Sequence, residues 1–481
     1  MTATAERPAV DDAYPASATP SFRPPITPIG RRRVPRWWRD ALGALTWASM
    51  LVVVALWVAG GGLQDLGQLG AGLTSLGRLT GLVASDLLLI QVLLMARIPM
   101  VERSYGQDEL ARRHRLVGFT SFNLMVAHIV LIVFGYAAME GRNLFAETWD
   151  LVVDYPGMLL AVAGTAALVM VTVTSIKKAR RKLRYESWHL LHLYAYVGVG
   201  LALPHQLWTG QEFLASTAAT VYWWGLWGAA AAAVLVWRVG VPAYRTLAYD
   251  LRVTAVTRES ADVVSVWMSG RRLDRLPVAA GQFFTWRFLT GPGWLRGHPY
   301  SLSAAPTGTS LRISVKDLGD GSRELTALKP GTRVVVEGPY GTLHQGVRTR
   351  RKVTLLASGI GVTPLRALLE ELPQEPGDVT LVYRARSEQE LVFQDELDAL
   401  AHSRGARVLY VLGSRLPDRP SWLPHTAAHL TDAQGLLHLV PDIAEHDVYI
   451  CGAGAWMDAV AEAAEEAGVP PQHVHQERFT W

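Results

Sequence analysis

The chain has 481 residues, 50% of them hydrophobic and 18% charged, with a mean hydropathy of +0.16. Soluble globular proteins carry about a quarter charged residues, so this balance excludes a wholly disordered chain and points toward lipid. The single cysteine, Cys451, excludes an intramolecular disulfide, and the net charge of +4 gives no reason to invoke nucleic acid, because position rather than total decides.

Residues 1–36 are rich in Ala, Pro, Thr and Arg without an apolar period and read as a disordered tail. Six apolar stretches follow, near 41–60, 76–96, 116–138, 157–176, 188–207 and 220–241. Each approaches the ~20 residues a helix needs to cross a ~30 Å hydrocarbon core. The first follows Arg31-Arg32-Arg33 but lacks a small-residue cleavage site, so it reads as a retained span rather than a signal peptide. Segments 31–40, 97–115 and 177–184 hold five, five and six Lys or Arg, whereas the alternate loops hold none, one (Arg142) and none. The positive-inside rule then places both termini in the cytoplasm. The basic run 177–184 suffices as a topology signal and also suits anionic lipid or docking of a soluble domain. Tryptophans such as Trp37, Trp38, Trp208, Trp223 and Trp224 lie near span ends, as in an interfacial belt.

Ionisable residues inside spans are costly and mark function by default. Span three carries His114 at its inner edge and His128 within; span five carries His192 and, farther out, His205. The two spans run in the same direction, so His114 lies level with His192 and His128 with His205. Two imidazole pairs at two depths suit the axial ligation of two b-type hemes, whereas a lone histidine is more simply a hydrogen-bonded polar group. A spacing of fourteen in span three rises about 21 Å and returns to within about 40° of the same face. The thirteen-residue spacing in span five leaves His192 and His205 about 140° apart in an ideal helix, with Pro204 as a source of distortion. His189 is the alternative inner ligand. Arg78, near the outer end of span two, suits a heme propionate, an anionic acceptor or plain snorkelling.

After Val241-Pro242 the pattern changes to short alternating strands, 251–256 and 263–267, of an antiparallel barrel. Gly281-Gln282-Phe283-Phe284 follows, then Arg296-Gly297-His298-Pro299-Tyr300-Ser301-Leu302-Ser303. A strand with Tyr beside Ser suits stacking on an isoalloxazine and a hydroxyl at its N5 edge, with Arg296 and His298 near pyrophosphate. A buried structural Tyr is the simpler alternative. The segment Lys316 to Ser322, with Gly319 and Gly321, reads as a glycine turn opening a short helix whose free amides suit phosphate. Gly338-Pro339-Tyr340-Gly341 closes the barrel. From Arg350 the pattern is doubly wound α/β: a strand at 353–357, a turn Ser358-Gly359-Ile360-Gly361-Val362-Thr363-Pro364 and a helix over 365–372. Strands at 378–383, 406–412 and 447–451 complete the sheet, the last entering the second glycine turn Cys451-Gly452-Ala453-Gly454.

These residues resemble the ferric reductase and NADPH oxidase superfamily from about residue 40 to the end. Its most specific marks are the histidine pairs, with the family's fourteen and thirteen spacings, and His298-Pro299-Tyr300-Ser301-Leu302-Ser303. The resemblance implies a multi-domain membrane protein: a tail (1–36), an all-α six-span transmembrane bundle binding two hemes (37–242), an antiparallel β-barrel for FAD (243–345) and a doubly wound α/β domain for NAD(P) (346–481). It implies FAD at His298, Tyr300, Ser301, Gly321 and Ser322, and NAD(P) at Gly359, Gly361, Thr363, Pro364, Cys451 and Gly452. The terminal Glu477-Arg478-Phe479-Thr480-Trp481 is similar to the module's usual ending, an acid and an aromatic near the flavin, with Phe479 at the aromatic position. One departure is Ile132, where the animal oxidases have a further outer-side histidine. The expected activity is electron transfer from cytoplasmic NAD(P)H through FAD and heme b to an external acceptor, a ferric chelate first and oxygen second. A heme-free anchored flavin reductase and a quinone-linked partner of a periplasmic enzyme are the alternatives. Gly413-Ser414-Arg415 resembles the Ser-Arg pair that holds the 2′-phosphate in NADP-using members, so NADPH is expected over NADH. Arg384 and Arg386 either add positive charge there or pair with Glu388 and Glu390.

Overall fold

The computed structural model describes residues 37–180, 182–183, 185–290, 297–417 and 419–478. The expected tail 1–36, Arg181, Arg184, Arg296, Phe479 and Trp481 lie outside the described residues. Six long helices come first: α1 (Trp37–Ala59), α2 (Leu69–Met95), α3 (Gln107–Glu140), α4 (Met158–Ser175), α5 (Tyr185–Trp208) and α6 (Thr217–Tyr249). Five of them are long and apolar enough to cross a membrane. The exception among the six is α5, which is 24 residues long but holds His189, His192 and His205 beside Trp and Tyr. The residues that make it chemically interesting also lower its hydropathy. Leu51, Leu116, Phe119, Leu159 and Val221 are exposed on the bundle, as apolar side chains facing lipid are. A π-helical turn, Val234–Gly240, lies directly before Pro242 in α6. Pro242 lacks the N–H that an α-helical ladder requires, and the wider turn precedes that break.

Small residues set the helix pairing. On α2, a Cβ at Gly81 would lie 2.5 Å from His128 Nδ1 of α3, and one at Gly77 would lie 3.0 Å from the Ile132 side chain. On α4 and α5, Gly164 and Gly198 meet in the same way, each with a Cβ position within 3.0 Å of the other's carbonyl oxygen. This small-xxx-small contact brings the backbones together without a hydrophobic driving force.

The C-terminal half begins with two three-stranded antiparallel sheets. One has the order β1 (Arg252–Arg258), β2 (Val263–Ser269), β5 (Ser310–Lys316); the other has β4 (His298–Ser301), β3 (Phe283–Phe288), β6 (Val334–Tyr340). The expected barrel is thus two sheets, touching through single bridges at Arg252–Arg333 and Leu302–Ile313. Phe284, Trp286, Val266, Met268, Leu302 and Ile313 fill the space between them. Then comes a parallel five-stranded sheet in the order β11 (Val474–Gln476), β10 (Asp447–Cys451), β7 (Val353–Ser358), β8 (Val379–Ala385), β9 (Arg407–Leu412). Helices α7 (Val362–Glu371), α8 (Gln394–Arg404), α9 (Asp432–Leu439) and α10 (Gly454–Glu466) cover it. Both faces are buried, which is why its strands are near-continuous apolar runs.

Candidate functional site

The histidines of the bundle come first, because their geometry follows from the helix pairing. His114 and His192 face each other with ring centroids 5.9 Å apart. A metal bonded to an imidazole on each side, at about 2 Å per bond, sets opposing centroids about 6 Å apart, so the pair fits a shared axial position. The His114 Nδ1–H points at the Gln91 carbonyl (3.4 Å), and the His128 Nδ1–H donates to the Gly77 carbonyl (2.8 Å). Each bond fixes the tautomer with the proton on Nδ1, so that Nε2 carries the lone pair a metal would take. His192 Nδ1 lies 3.3 Å from Ser175 Oγ, with Trp188 packed against the ring. His205 lies within electrostatic reach of His128, and its backbone packs against Gly157, where a Cβ would come within 2.8 Å of the His205 nitrogen. His189 faces Arg238, Arg287 and Glu337 instead. Arg78 is held between Asp65 (2.5 Å) and Glu212 (3.3 Å), at the end of the bundle far from the reductase module.

The module meets the other end of the bundle. The Arg97 guanidinium, just past α2, lies 4.0 Å from the ring centroid of Tyr340 in β6 and pairs with Glu102 at 3.1 Å. Glu337 of the same strand takes Arg287 at 2.9 Å and Arg238 of α6 at 3.5 Å. A cleft of about 560 Å³ opens beside this contact, lined by Tyr105, Gln107, Thr342 and Glu477 among others. Sequence reasoning missed this interface, since nothing local in the chain marks two residues of different domains as partners.

Within the module, Tyr300 pairs with Phe284 across β3 and β4, and its ring is stacked 5.8 Å from His298. Burial pushes the Tyr300 hydroxyl well above its usual range. The Ser301 Oγ is buried and has no hydrogen-bond partner among the described residues, an orphan that a flavin ring edge would satisfy. A Cβ at Gly321 would lie 2.8 Å from His298, and the Glu477 carboxylate fills the space a Cβ at Gly341 would take. These close approaches form a cradle that fits FAD. Ser322 Oγ accepts the amides of Leu318 (2.8 Å) and Gly319 (3.1 Å), so it shapes the phosphate turn. Lys316 is engaged with Asp262 at 3.0 Å, and Pro299 lies opposite Thr285.

The two glycine turns of the α/β domain touch. Gly359-Ile360-Gly361 leaves β7, Cys451-Gly452 leaves the neighbouring β10, and Gly361 packs on the Cys451 carbonyl too closely for any side chain. The chain goes from β7 to β8 and β9 in one direction and returns to β10 on the other side. The turns therefore sit at the topological switch point, where dinucleotides bind. Thr363 and Pro364 open α7 there. Cys451 is buried beside Glu477, and desolvation pushes its thiol far up. Arg384 is buried and binds the carbonyls of Trp422 (3.1 Å) and Ser414 (3.3 Å), so it holds the Ser414-Arg415 loop. Ser414 Oγ lies 3.0 Å from His425 Nδ1, a neighbour that the sequence reading did not include. The two reductase domains are pinned by a bidentate bond from Arg312 to Glu396 (2.8 and 2.9 Å). The Glu370 and Glu371 carboxylates add to this, accepting the amides of Ala305 and Ala280 at 2.8 Å.

Two family models match separate parts of the chain. The ferric reductase like transmembrane component matches residues 80–203, and the oxidoreductase NAD-binding domain matches 355–462. Ferredoxin–NADP reductase B of Sorangium cellulosum is 32% identical over 205 residues, covering 39% of this chain and 80% of that protein. The ferredoxin reductase component of 3-ketosteroid-9-alpha-monooxygenase from Mycolicibacterium smegmatis is 32% identical over 244 residues. That match covers 48% of this chain and 65% of the relative, so the chain spans just under two thirds of its length. A solved FAD/NAD binding domain of nitric oxide dioxygenase from Vibrio cholerae is 25% identical, with a TM-score of 0.38, over 48% of this chain and 98% of that one. The chain is a membrane oxidoreductase that joins a ferric reductase-like transmembrane domain to a flavin and NAD(P) module, and through that module it belongs to the ferredoxin–NADP reductase family.

Proposed function

We propose that this protein carries electrons from cytoplasmic NADPH across the membrane to an external acceptor, a ferric chelate in the first place. When bound, FAD supplies the change from a two-electron hydride to single electrons, and two b-type hemes supply one-electron carriers. The chain's own residues do the rest. The turn at Gly359 and Gly361, Thr363, Pro364 and the N-terminus of α7 hold pyrophosphate, with Cys451 and Gly452 on the other side of the switch point. Ser414 and Arg415, steadied by Arg384, hold the 2′-phosphate. Tyr300, Ser301, His298 and Gly321 cradle the flavin, and Glu477 closes its far side. His114 with His192, and His128 with His205, hold hemes at two heights along α3 and α5. Arg97 and Glu337 keep the module against the nearer pair. The lysines and arginines of the loops on that side favour a cytoplasmic module. Ile132, packed on Gly77, puts an apolar group where the animal oxidases have a further histidine, which favours a chelate over oxygen.

The observation that carries this reading is the facing of His114 and His192, 5.9 Å centroid to centroid, beneath a flavin and nucleotide module on one chain. The test is heme and flavin content of the purified protein by pyridine hemochrome assay and acid extraction. Two hemes and one FAD per chain are expected, with His128→Ala falling to one heme. A wild-type ratio of one or none, or FMN alone in the extract, overturns it.

A further inference from the structure

Asp86 is a buried acid just past the midpoint of α2, and nothing in the electron path described above uses it. Its side chain is wholly inaccessible to solvent. Ser49 Oγ of α1 donates to Asp86 Oδ1 at 2.8 Å, and the Tyr222 hydroxyl of α6 donates to the same oxygen at 2.5 Å. The two hydroxyls also lie 2.8 Å from each other. Asp86 Oδ2 is buried with no hydrogen-bond partner among the described residues. Its neighbour in the chain, Ser85, accepts from Gln206 Nε2 at 3.1 Å, and Gln206 directly follows His205. The acid is thus tied to the distal histidine pair through one side-chain hydrogen bond and two peptide links.

A carboxyl group buried in an apolar bundle is expensive in either state when one oxygen lacks a partner. An anchor for Ser49 and Tyr222 alone needs only an amide oxygen; the carboxyl adds the ability to gain or lose a proton. Two hydroxyl donors on Oδ1 offset part of the cost of the charged form, so a nearby change of charge decides between the states. Among the described residues, Tyr222 is the titratable group that touches Asp86 from α6, and α1 contributes only the Ser49 hydroxyl. The one cation on α2, Arg78, lies eight residues away and is already held by Asp65 and Glu212.

We infer that Asp86, held by Ser49 and Tyr222, is a proton-binding site inside the membrane domain, loaded when an electron reaches the distal histidine pair. The inference rests on the two-heme reading above. Each electron gained at that site draws up to about half a proton from water onto Asp86 Oδ2, the share a tenfold change in affinity moves; when the electron leaves to the acceptor, that proton returns to water. A unit charge roughly 10 Å away, at an effective dielectric constant of about 20, changes a proton affinity roughly tenfold, which moves a poised acid from about one quarter to about three quarters protonated.

The experiment is a redox titration of the purified full-length protein, followed by heme absorbance between pH 6 and 9. It is paired with reduced-minus-oxidised infrared difference spectra. In the wild type, at least one heme transition is expected to shift to lower potential as pH rises. Asp86→Asn, which keeps an acceptor oxygen for both hydroxyls, abolishes that slope and removes a carboxylic C=O band from the infrared difference. Should that variant fail to assemble, Tyr222→Phe removes one donor from the carboxylate and moves the sloping range to higher pH. Heme transitions whose slope is unchanged in Asp86→Asn, or unmoved in Tyr222→Phe, overturn this inference alone. A protein without heme absorbance overturns it together with the reading on which it rests.

Discussion

The Arg97 guanidinium lies 4.0 Å from the ring centroid of Tyr340, joining the end of a membrane helix to the strand that runs into the flavin cradle. Arg97 also pairs with the buried Glu102 at 3.1 Å and donates to Gln107 Oε1 at 2.6 Å, which fixes the guanidinium at this contact. A desolvated cation–π contact is worth about 2 kcal/mol, or about 30-fold in a docking equilibrium. Arg97→Ala should therefore leave flavin reduction by NADPH intact and slow the subsequent heme reduction by up to that factor in stopped-flow absorbance. Arg97→Lys, which keeps the charge beside Glu102, should recover part of the loss. Equal slowing of both phases would point to general damage instead.

Glu371 links the two reductase domains through the Ala280 amide, and burial raises its carboxyl to about 7 from an ordinary value of 4.5. Because the folded state binds this proton more tightly than the unfolded one, stability from this group is greatest below pH 4.5. It falls as pH rises toward 7 and is flat above that. The shift corresponds to about 3 kcal/mol at one site. Glu371→Gln keeps an acceptor for Ala280 and removes the titration. Its melting temperature should exceed that of wild type at pH 8 and converge with it toward pH 5; a constant difference would contradict the assignment.

Flavin retention separates Tyr300 from Ser301. Tyr300→Ala should lose FAD on gel filtration while heme absorbance stays. Ser301→Ala removes one hydrogen bond of about 1 kcal/mol, so FAD affinity should fall only about fivefold. Retention of FAD by Tyr300→Ala at wild-type affinity would remove the stacking role.

The proposed preference for NADPH assigns the 2′-phosphate to Ser414 and Arg415, in the loop that Arg384 holds. A hydrogen bond to a charged group is worth ~1.5–3 kcal/mol, so Arg415→Ala should raise KM for NADPH roughly 10- to 150-fold. The KM for NADH should change little. A wild type that prefers NADH, or equal loss of both nucleotides, would exclude a 2′-phosphate site there.

Much of this arrangement was legible in the chain, and the residues show why some was not. The histidines stood out because polar groups in apolar runs are rare, and the glycine turns because they separate a strand from a helix. Asp86 carries the same signal as the histidines, an ionisable group within a span, and was overlooked because it has no counterpart at matched depth. Gly77 and Gly81 gave no local hint that they make room for His128 and Ile132; that follows from helix pairing. Alternation showed the strands of the flavin domain but not their division into two sheets, because strand order depends on contacts distant in the chain. The lowered hydropathy of α5 has the opposite origin: its histidines obscure the span while marking the site.

Inverted vesicles containing the protein show directly whether electrons cross the membrane. NADPH is added outside, where the module is exposed, with a ferric chelate and a ferrous-trapping dye sealed inside. Ferrous complex is expected in the lumen on NADPH addition and is expected to be absent in His128→Ala. Oxidation of NADPH only when the chelate is supplied on the module's own side, with no lumenal ferrous iron, would contradict transfer across the membrane.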